Sequence, residues 1–180
     1  INHPSLHITT NNTIFGTQFK SMPSLGEGQV LMADMSSDIF SQELNIADFD
    51  LIYAGAQKNM GPAGTVMYIV KTESLGKTGR AIPSYLDLAV HIDKDSMFNT
   101  PPVFAVYTSM LTLRWLKNLG GVAEIQKHNE AKAKLMYSEI DRNPLFEGFA
   151  QAESRSNMNA TFKLSNDELA AKFDEMWNAA

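Results

Sequence analysis

Two short runs of apolar residues, Val30-Leu31-Met32-Ala33 and Leu51-Ile52-Tyr53, each break off at a polar turn, and no other feature of the chain limits its fold as tightly. Each run is too short for a helix and too uniformly apolar for a strand with one wet face. Both therefore predict strands buried on two sides, inside a sheet. Leu6–Thr10 and Thr65–Val70 predict two flanking strands, with Gly16, Gly26–Gly28 and Ser36–Ser37 as turns between them. Ile46–Phe49 is a short apolar spacer rather than a long helix, so a mixed sheet is expected, not a purely parallel one. Residues 71–100 are rich in Gly, Pro, Asp and Ser and predict a functional loop region with a short helical piece at Ser84–Ala89.

The character changes at Pro102. Val103, Val106, Tyr107, Met110, Leu111, Leu113 and Leu116 fall on helical spacing, and the pattern stops at Gly120-Gly121. A second amphipathic helix is expected from Val122 to about Ile140, with Val122, Ile125, Leu135 and Met136 as its main apolar positions. Phe146–Ala150 and Asn159–Leu164 predict strands, and Ser165 a cap for a last helix beginning near Asp167. The fold class is α/β, a mixed and mostly parallel sheet with helices, followed by a small α+β unit. The boundary is placed at residues 1–118 and 119–180.

Composition removes several function classes. A net charge of −5 with scattered Lys and Arg leaves no nucleic-acid footprint. With no cysteine there is no disulfide, thiolate metal site or cysteine nucleophile, which fits a reducing, cytoplasmic setting. No apolar run approaches the roughly 18 residues that span a bilayer. The 180 residues, 44% hydrophobic, suffice for a sizeable core of a soluble globular protein. His3, His7, His91 and His128 have no metal-ligand spacing, and Gly61–Thr65 lacks the lysine of a phosphate-binding loop. The ten methionines read as core filler.

The chemistry-bearing residues stand where the two buried runs end. Asp34 follows the first, and Lys58 follows the second within Ala54-Gly55-Ala56-Gln57-Lys58-Asn59-Met60-Gly61-Pro62-Ala63-Gly64. A carboxylate and an amine brought together at strand ends are what pyridoxal phosphate chemistry requires, one to hold the ring nitrogen protonated and one to form the Schiff base. A lysine amine has a reference pKa of about 10.4, so burial at an apolar strand end is expected to be what frees it for nucleophilic work. On spacing alone, both residues read first as solvated loop residues, and Asp34 also as a helix N-cap, a task Ser36 or Ser37 can take instead.

The segment Tyr53–Gly64 closely resembles the Schiff-base lysine segment of the phosphoserine aminotransferase family, within the aspartate aminotransferase-like, fold type I pyridoxal phosphate enzymes of class V. Asn11-Asn12-Thr13, Ala33–Ser37, Asp50–Tyr53 and Asn99-Thr100-Pro101-Pro102 followed by Tyr107 match the same family in order. The resemblance implies that Lys58 is the catalytic lysine and that Asp34 faces the pyridine nitrogen. It also implies that Thr13 and Gln57 contact the cofactor, and that Asn99 and Thr100 reach the partner subunit's cofactor phosphate in a homodimer. Residues 1–118 would be the later part of the large cofactor domain and 119–180 part of the small domain. The implied reaction is reversible amino transfer between glutamate and 3-phosphohydroxypyruvate in serine biosynthesis, with a phosphorylated oxo acid of the vitamin B6 pathway as a related substrate.

The chain opens at Ile1 and stops directly after the helical pattern of Asp167–Trp177, so it is expected to be a fragment, roughly the second half of such an enzyme, and possible only as a scaffold if it cannot hold the cofactor alone. The stacking aromatic and the substrate-binding arginines would lie outside it, and Arg80, Arg114, Arg142 and Arg155 do not obviously replace them. Other fold type I enzymes, such as a different aminotransferase or a cysteine desulfurase, would share the lysine and the aspartate but not the AGAQKNMGPAG segment. An unrelated small α/β binding module is the remaining reading.

Overall fold

The computed structural model describes residues 4–77 and 79–179; residues 1–3, 78 and 180, His3 among them, lie outside the described residues. Strands β1 (Ser5–Thr9), β4 (Val30–Asp34), β5 (Leu51–Gly55) and β6 (Val66–Val70) form one sheet in the order β1-β4-β5-β6. The first three are parallel and β6 is antiparallel to β5, so the sheet is mixed, as expected. The short strands β2 (Asn11–Asn12) and β3 (Thr17–Gln18) pair as a hairpin directly after β1.

Burial alternates along the central strands, which departs from the expectation of two covered faces. Leu31 and Ala33 of β4 and Ile52 and Ala54 of β5 are buried, whereas Val30, Met32, Leu51 and Tyr53 are only half-buried. The buried side packs on Met35, Ile39, Phe49, Ala56 and Met60, all from segments that follow β4 and β5. Within the described chain those segments supply one layer only. At about 25 cal/mol per Å² of apolar surface, that single layer carries most of the sheet's hydrophobic stabilisation.

The connection from β4 to β5, residues 35–50, crosses over without an α-helix and contains one 3-10 turn, Ile46–Asp48, capped by the Asn45 side chain. Asp50 locks the strand starts: its Oδ2 accepts from the Leu31 N–H at 2.9 Å and its Oδ1 lies 3.7 Å from Lys71 Nζ. Among the described residues, 71–100 hold two 3-10 turns, Thr72–Ser74 and Ser84–Leu86, and helix α1 (Leu88–Asp93), whose N-cap is the Asp87 side chain.

Helix α2 (Val103–Leu119) ends at Gly120, where a φ of 118° needs a residue without Cβ. Its neighbour α3 (Val122–Arg142) buries Asn129, Ala133 and Ile140; of the expected apolar positions, Val122 and Ile125 are half-buried while Leu135 and Met136 face out. Leu135 is 74% exposed and Met136 48%. The buried stripe at 129, 133 and 140 is set by what faces the rest of the chain: Asn129 Nδ2 donates to the Ser41 carbonyl at 3.1 Å, and a polar residue thereby takes a core position. Strands β7 (Phe146–Gly148) and β8 (Phe162–Leu164) pair antiparallel, and α4 (Asp167–Ala179) follows. The cap of α4 is Asn166, whose Oδ1 accepts from the Leu169 N–H at 2.8 Å, rather than Ser165. Among the described residues no helix is long and apolar enough to cross a membrane.

Candidate active site

Because β1, β4 and β5 are parallel, their carboxyl ends lie along one edge, the usual place for a ligand in an open α/β sheet. Thr9, Asp34 and Tyr53 are register partners across the three strands there. The chain beyond each strand supplies the candidate residues: Thr13 after β1, Asp34 at the end of β4, and Gln57 and Lys58 after β5.

Lys58 Nζ donates to Thr13 Oγ1 at 2.8 Å, the contact that joins the turn after β5 to the loop after β1. Lys58 is exposed, so the expected burial of its amine is not found; it stands beyond the strand end in a turn closed by the Met60 and Gly61 N–H groups on the Ala56 carbonyl. That turn is pressed against α2. A Cβ at Gly61 would sit 2.9 Å from Ser109 Oγ and 3.3 Å from the Ser109 backbone, and one at Gly64, where φ is 118°, would touch Ala105 at 3.5 Å. The Gly-Pro-Ala-Gly stretch is thus the close approach of loop to helix that fixes the base of the Lys58 turn. Asn59 adds a bond to the Ile39 carbonyl at 2.9 Å.

Asp34 begins no helix; the residues after it form turns. Its Oδ1 accepts from the Ser36 N–H at 2.8 Å, and Ser36 Oγ accepts from the Gly55 N–H at 3.1 Å, so the carboxylate is oriented by a turn tied to β5. Tyr53, beside it on the open face, has its hydroxyl pushed to higher pKa by burial and then by the negative charge of Asp34. The Tyr53 ring stacks on His7 at 5.9 Å, and the His7 Nε2 to Tyr53 hydroxyl distance is 3.0 Å.

Gln57 is exposed and folds back over Gly55, where an added Cβ would meet its Oε1 at 2.5 Å. Asn99 and Thr100 are exposed ahead of α2, and Asn99 Nδ2 donates to the Thr100 carbonyl at 3.3 Å. Among the described residues no hydrogen bond links this pair to Lys58, Thr13 or Asp34. Arg155 and Arg142 serve the structure: Arg155 grips both oxygens of Asp141 at 2.7 Å and lies 4.6 Å over the Tyr137 ring, and Arg142 pairs with Glu139 at 2.6 Å. Among the described residues no cluster of His, Cys, Asp and Glu has the makings of a metal site.

Sequence reasoning missed the polar layer beneath this edge. Thr10 clasps the Asp34 carbonyl through its N–H at 3.0 Å and its hydroxyl at 3.1 Å. Asp38, 3% exposed, receives the Thr10 hydroxyl at 2.6 Å and Gln18 Nε2 at 3.2 Å. Burial pushes the Asp38 carboxyl above the usual range, and the Thr10 and Gln18 hydrogen bonds oppose that shift. A carboxylate followed directly by Ile39 and Phe40 was the available signal.

The chain matches the family described as Aminotransferase class-V over residues 2–176. A phosphoserine aminotransferase of Flavobacterium psychrophilum is 65% identical over 174 residues, covering 97% of this chain and 48% of that protein. Its counterpart in Flavobacterium johnsoniae is 62% identical, with the same shares. Among solved structures, the phosphoserine aminotransferase of Bacillus circulans subsp. alkalophilus superposes with a TM-score of 0.90 at 38% identity, covering 96% of this chain and 48% of that one. A phosphoserine aminotransferase studied for radiation damage of its Schiff base also gives 0.90, at 46% identity over 97% of this chain and 48% of that one. The chain spans about half the length of the curated relatives it matches.

Proposed function

Because this chain belongs to the class-V aminotransferase family, we propose that it forms the lysine-bearing half of a phosphoserine aminotransferase site, with Lys58 the residue that bonds pyridoxal phosphate. The observation that carries the reading is the 2.8 Å contact of Lys58 with Thr13 at the carboxyl edge shared with Asp34. For the whole protein the proposed reaction is reversible amino transfer between glutamate and 3-phosphohydroxypyruvate.

The residues present fit the cofactor. An exposed primary amine, an oriented carboxylate and a hydroxyl converge on one strand edge, and Gln57 adds an amide beside the amine. When bound, pyridoxal phosphate supplies an electron sink for the substrate α-carbon. Asp34 would support that sink by holding a proton on the ring nitrogen, and its turn with Ser36 keeps the carboxylate oriented. Lys58 would hold the cofactor, and its amine would take and hold the proton from the substrate α-carbon. Thr13 steadies the Lys58 ammonium between these tasks.

Asn99 and Thr100, which make no hydrogen bond to Lys58, Thr13 or Asp34 among the described residues, are proposed to serve the cofactor phosphate of a second subunit in a homodimer. Residues 1–118 are assigned to the large cofactor domain and 119–180 to the small one. An absorbance titration with pyridoxal phosphate tests the reading: saturable uptake that Lys58→Ala abolishes and Lys132→Ala leaves intact supports it. Uptake that survives Lys58→Ala contradicts it.

A further inference from the structure

The loop that presents Thr13 is held from the far end of the chain. Asn11 and Ser156, 2% and 1% exposed, meet through a hydrogen bond from the Ser156 hydroxyl to Asn11 Oδ1. Asn11 Nδ2 donates to Ser37 Oγ at 2.9 Å and to Asn159 Oδ1 at 3.1 Å. Asn159 in turn donates from Nδ2 to the Thr13 carbonyl at 2.8 Å. Its own position is fixed by its N–H on Ser156 Oγ at 3.3 Å and by the Tyr137 hydroxyl on its carbonyl at 3.4 Å. The tip of the loop is separately shaped by Asn12, whose Oδ1 accepts the Ile14 and Phe15 N–H groups at 3.1 Å.

Buried amides and hydroxyls are costly unless every polar atom finds a partner, and a network that satisfies them selects one arrangement over its alternatives. Here the arrangement selected is the height of the Thr13 loop relative to the 156–159 segment. Thr13 is exposed and the loop has little apolar packing of its own. Phe15 on Phe149, at 5.8 Å, and Thr161 Oγ1 on the Phe15 carbonyl, at 2.9 Å, hold the side of the loop away from Thr13. Only Asn159 grips the main chain of Thr13 itself among the described residues.

We propose that Asn159 is a positioning residue for Lys58. Its amide fixes the Thr13 carbonyl, the fixed backbone aims the Thr13 hydroxyl, and that hydroxyl receives the Lys58 ammonium. The proposal rests on the preceding reading only in treating Lys58 as the cofactor lysine; the coupling itself is a property of these three residues.

Competitive trace acetylation with acetic anhydride, followed by peptide mass spectrometry, reads the free-amine reactivity of Lys58 against exposed Lys132 without any cofactor. The Thr13 hydroxyl engages the Lys58 nitrogen and holds it in place, so releasing that contact frees the amine for the reagent and raises its labelling. Thr13→Val removes the acceptor and is expected to raise Lys58 labelling about threefold, the effect of one modest hydrogen bond. Asn159→Ala, which removes the donor to Thr13 without adding a charge beside the Lys58 ammonium, is expected to do nearly the same. The double variant is expected to go no further than Thr13→Val alone, because the two residues act in series. Asn159→Ser is read in the same way if Asn159→Ala does not fold. Unchanged Lys58 labelling in the Asn159 variants, or additive effects in the double variant, overturns the proposal. Because acetylation needs no pyridoxal phosphate, a chain that takes up no cofactor still decides the question.

Discussion

Lys58 and Thr13, 45 residues apart in the chain, are joined by a 2.8 Å hydrogen bond from the lysine amine to the threonine hydroxyl. The bond spans two strand ends of a parallel set, with Asp34 ending the strand between them. Its consequences are testable residue by residue.

Asp34→Asn separates charge from shape. Asparagine still accepts the Ser36 N–H, so the thermal midpoint is expected to stay close to wild type. Loss of the charge-assisted partner for the ring nitrogen is expected to weaken pyridoxal phosphate uptake about tenfold, in line with a hydrogen bond to a charged group. Unchanged affinity in an absorbance titration contradicts the assignment.

Asp38 makes stability depend on pH. Its folded-state pKa is raised above the ordinary 3.8, so the folded chain binds the proton more tightly than the unfolded chain. Its contribution is fully present below about 3.8 and is lost as pH rises through the folded pKa. Asp34 lies near with like charge, and the amine of Lys20 reaches Gln18 Oε1 at 3.5 Å with Glu130 nearby. Chemical denaturation across that range is expected to show the decline in wild type and a flatter curve in Asp38→Asn. Asp38→Ala, which strands the Thr10 and Gln18 donors, is expected to cost about 2 kcal/mol.

Gly64→Ala tests the seat of the Lys58 turn. A φ of 118° is strained for any residue with a Cβ, while the nearest atom at 3.5 Å is ordinary contact. A loss of about 1–3 kcal/mol is expected from backbone strain alone. Equal stability of the variant, measured by urea unfolding, shows that the turn adapts.

The open face carries much apolar surface. Val66, Tyr68, Tyr85, Leu86, Ile92 and Val106 are exposed around a groove of about 1020 Å³ between β6, α1 and α2. A surface of this kind is expected to drive self-association. Concentration-dependent light scattering checks this, and a dispersed monomer at high concentration contradicts it.

How much was legible follows from which signals are local. The apolar runs at Val30 and Leu51 and the glycine pair after Leu119 announce their elements, because strand length and helix termination are written in adjacent residues. The resemblance around Lys58 and Asp34 singles out residues that the fold brings to one strand edge. The exposure of Lys58 and the half-covered face of β4 were not legible, since burial depends on what packs from elsewhere. The same holds for α3, where Asn129 and Ala133 are buried while Leu135 faces out. The Asn11, Ser156 and Asn159 network joins residues about 145 positions apart, and no local pattern marks it.

The central claim is that Lys58 bonds the cofactor. Borohydride reduction of the chain with pyridoxal phosphate, followed by peptide mass mapping, addresses it directly, with Lys58→Ala as control. The account predicts one dominant reduced adduct at Lys58 that disappears in the control. Labelling scattered over many lysines, with Lys58 no more modified than Lys132, would contradict it.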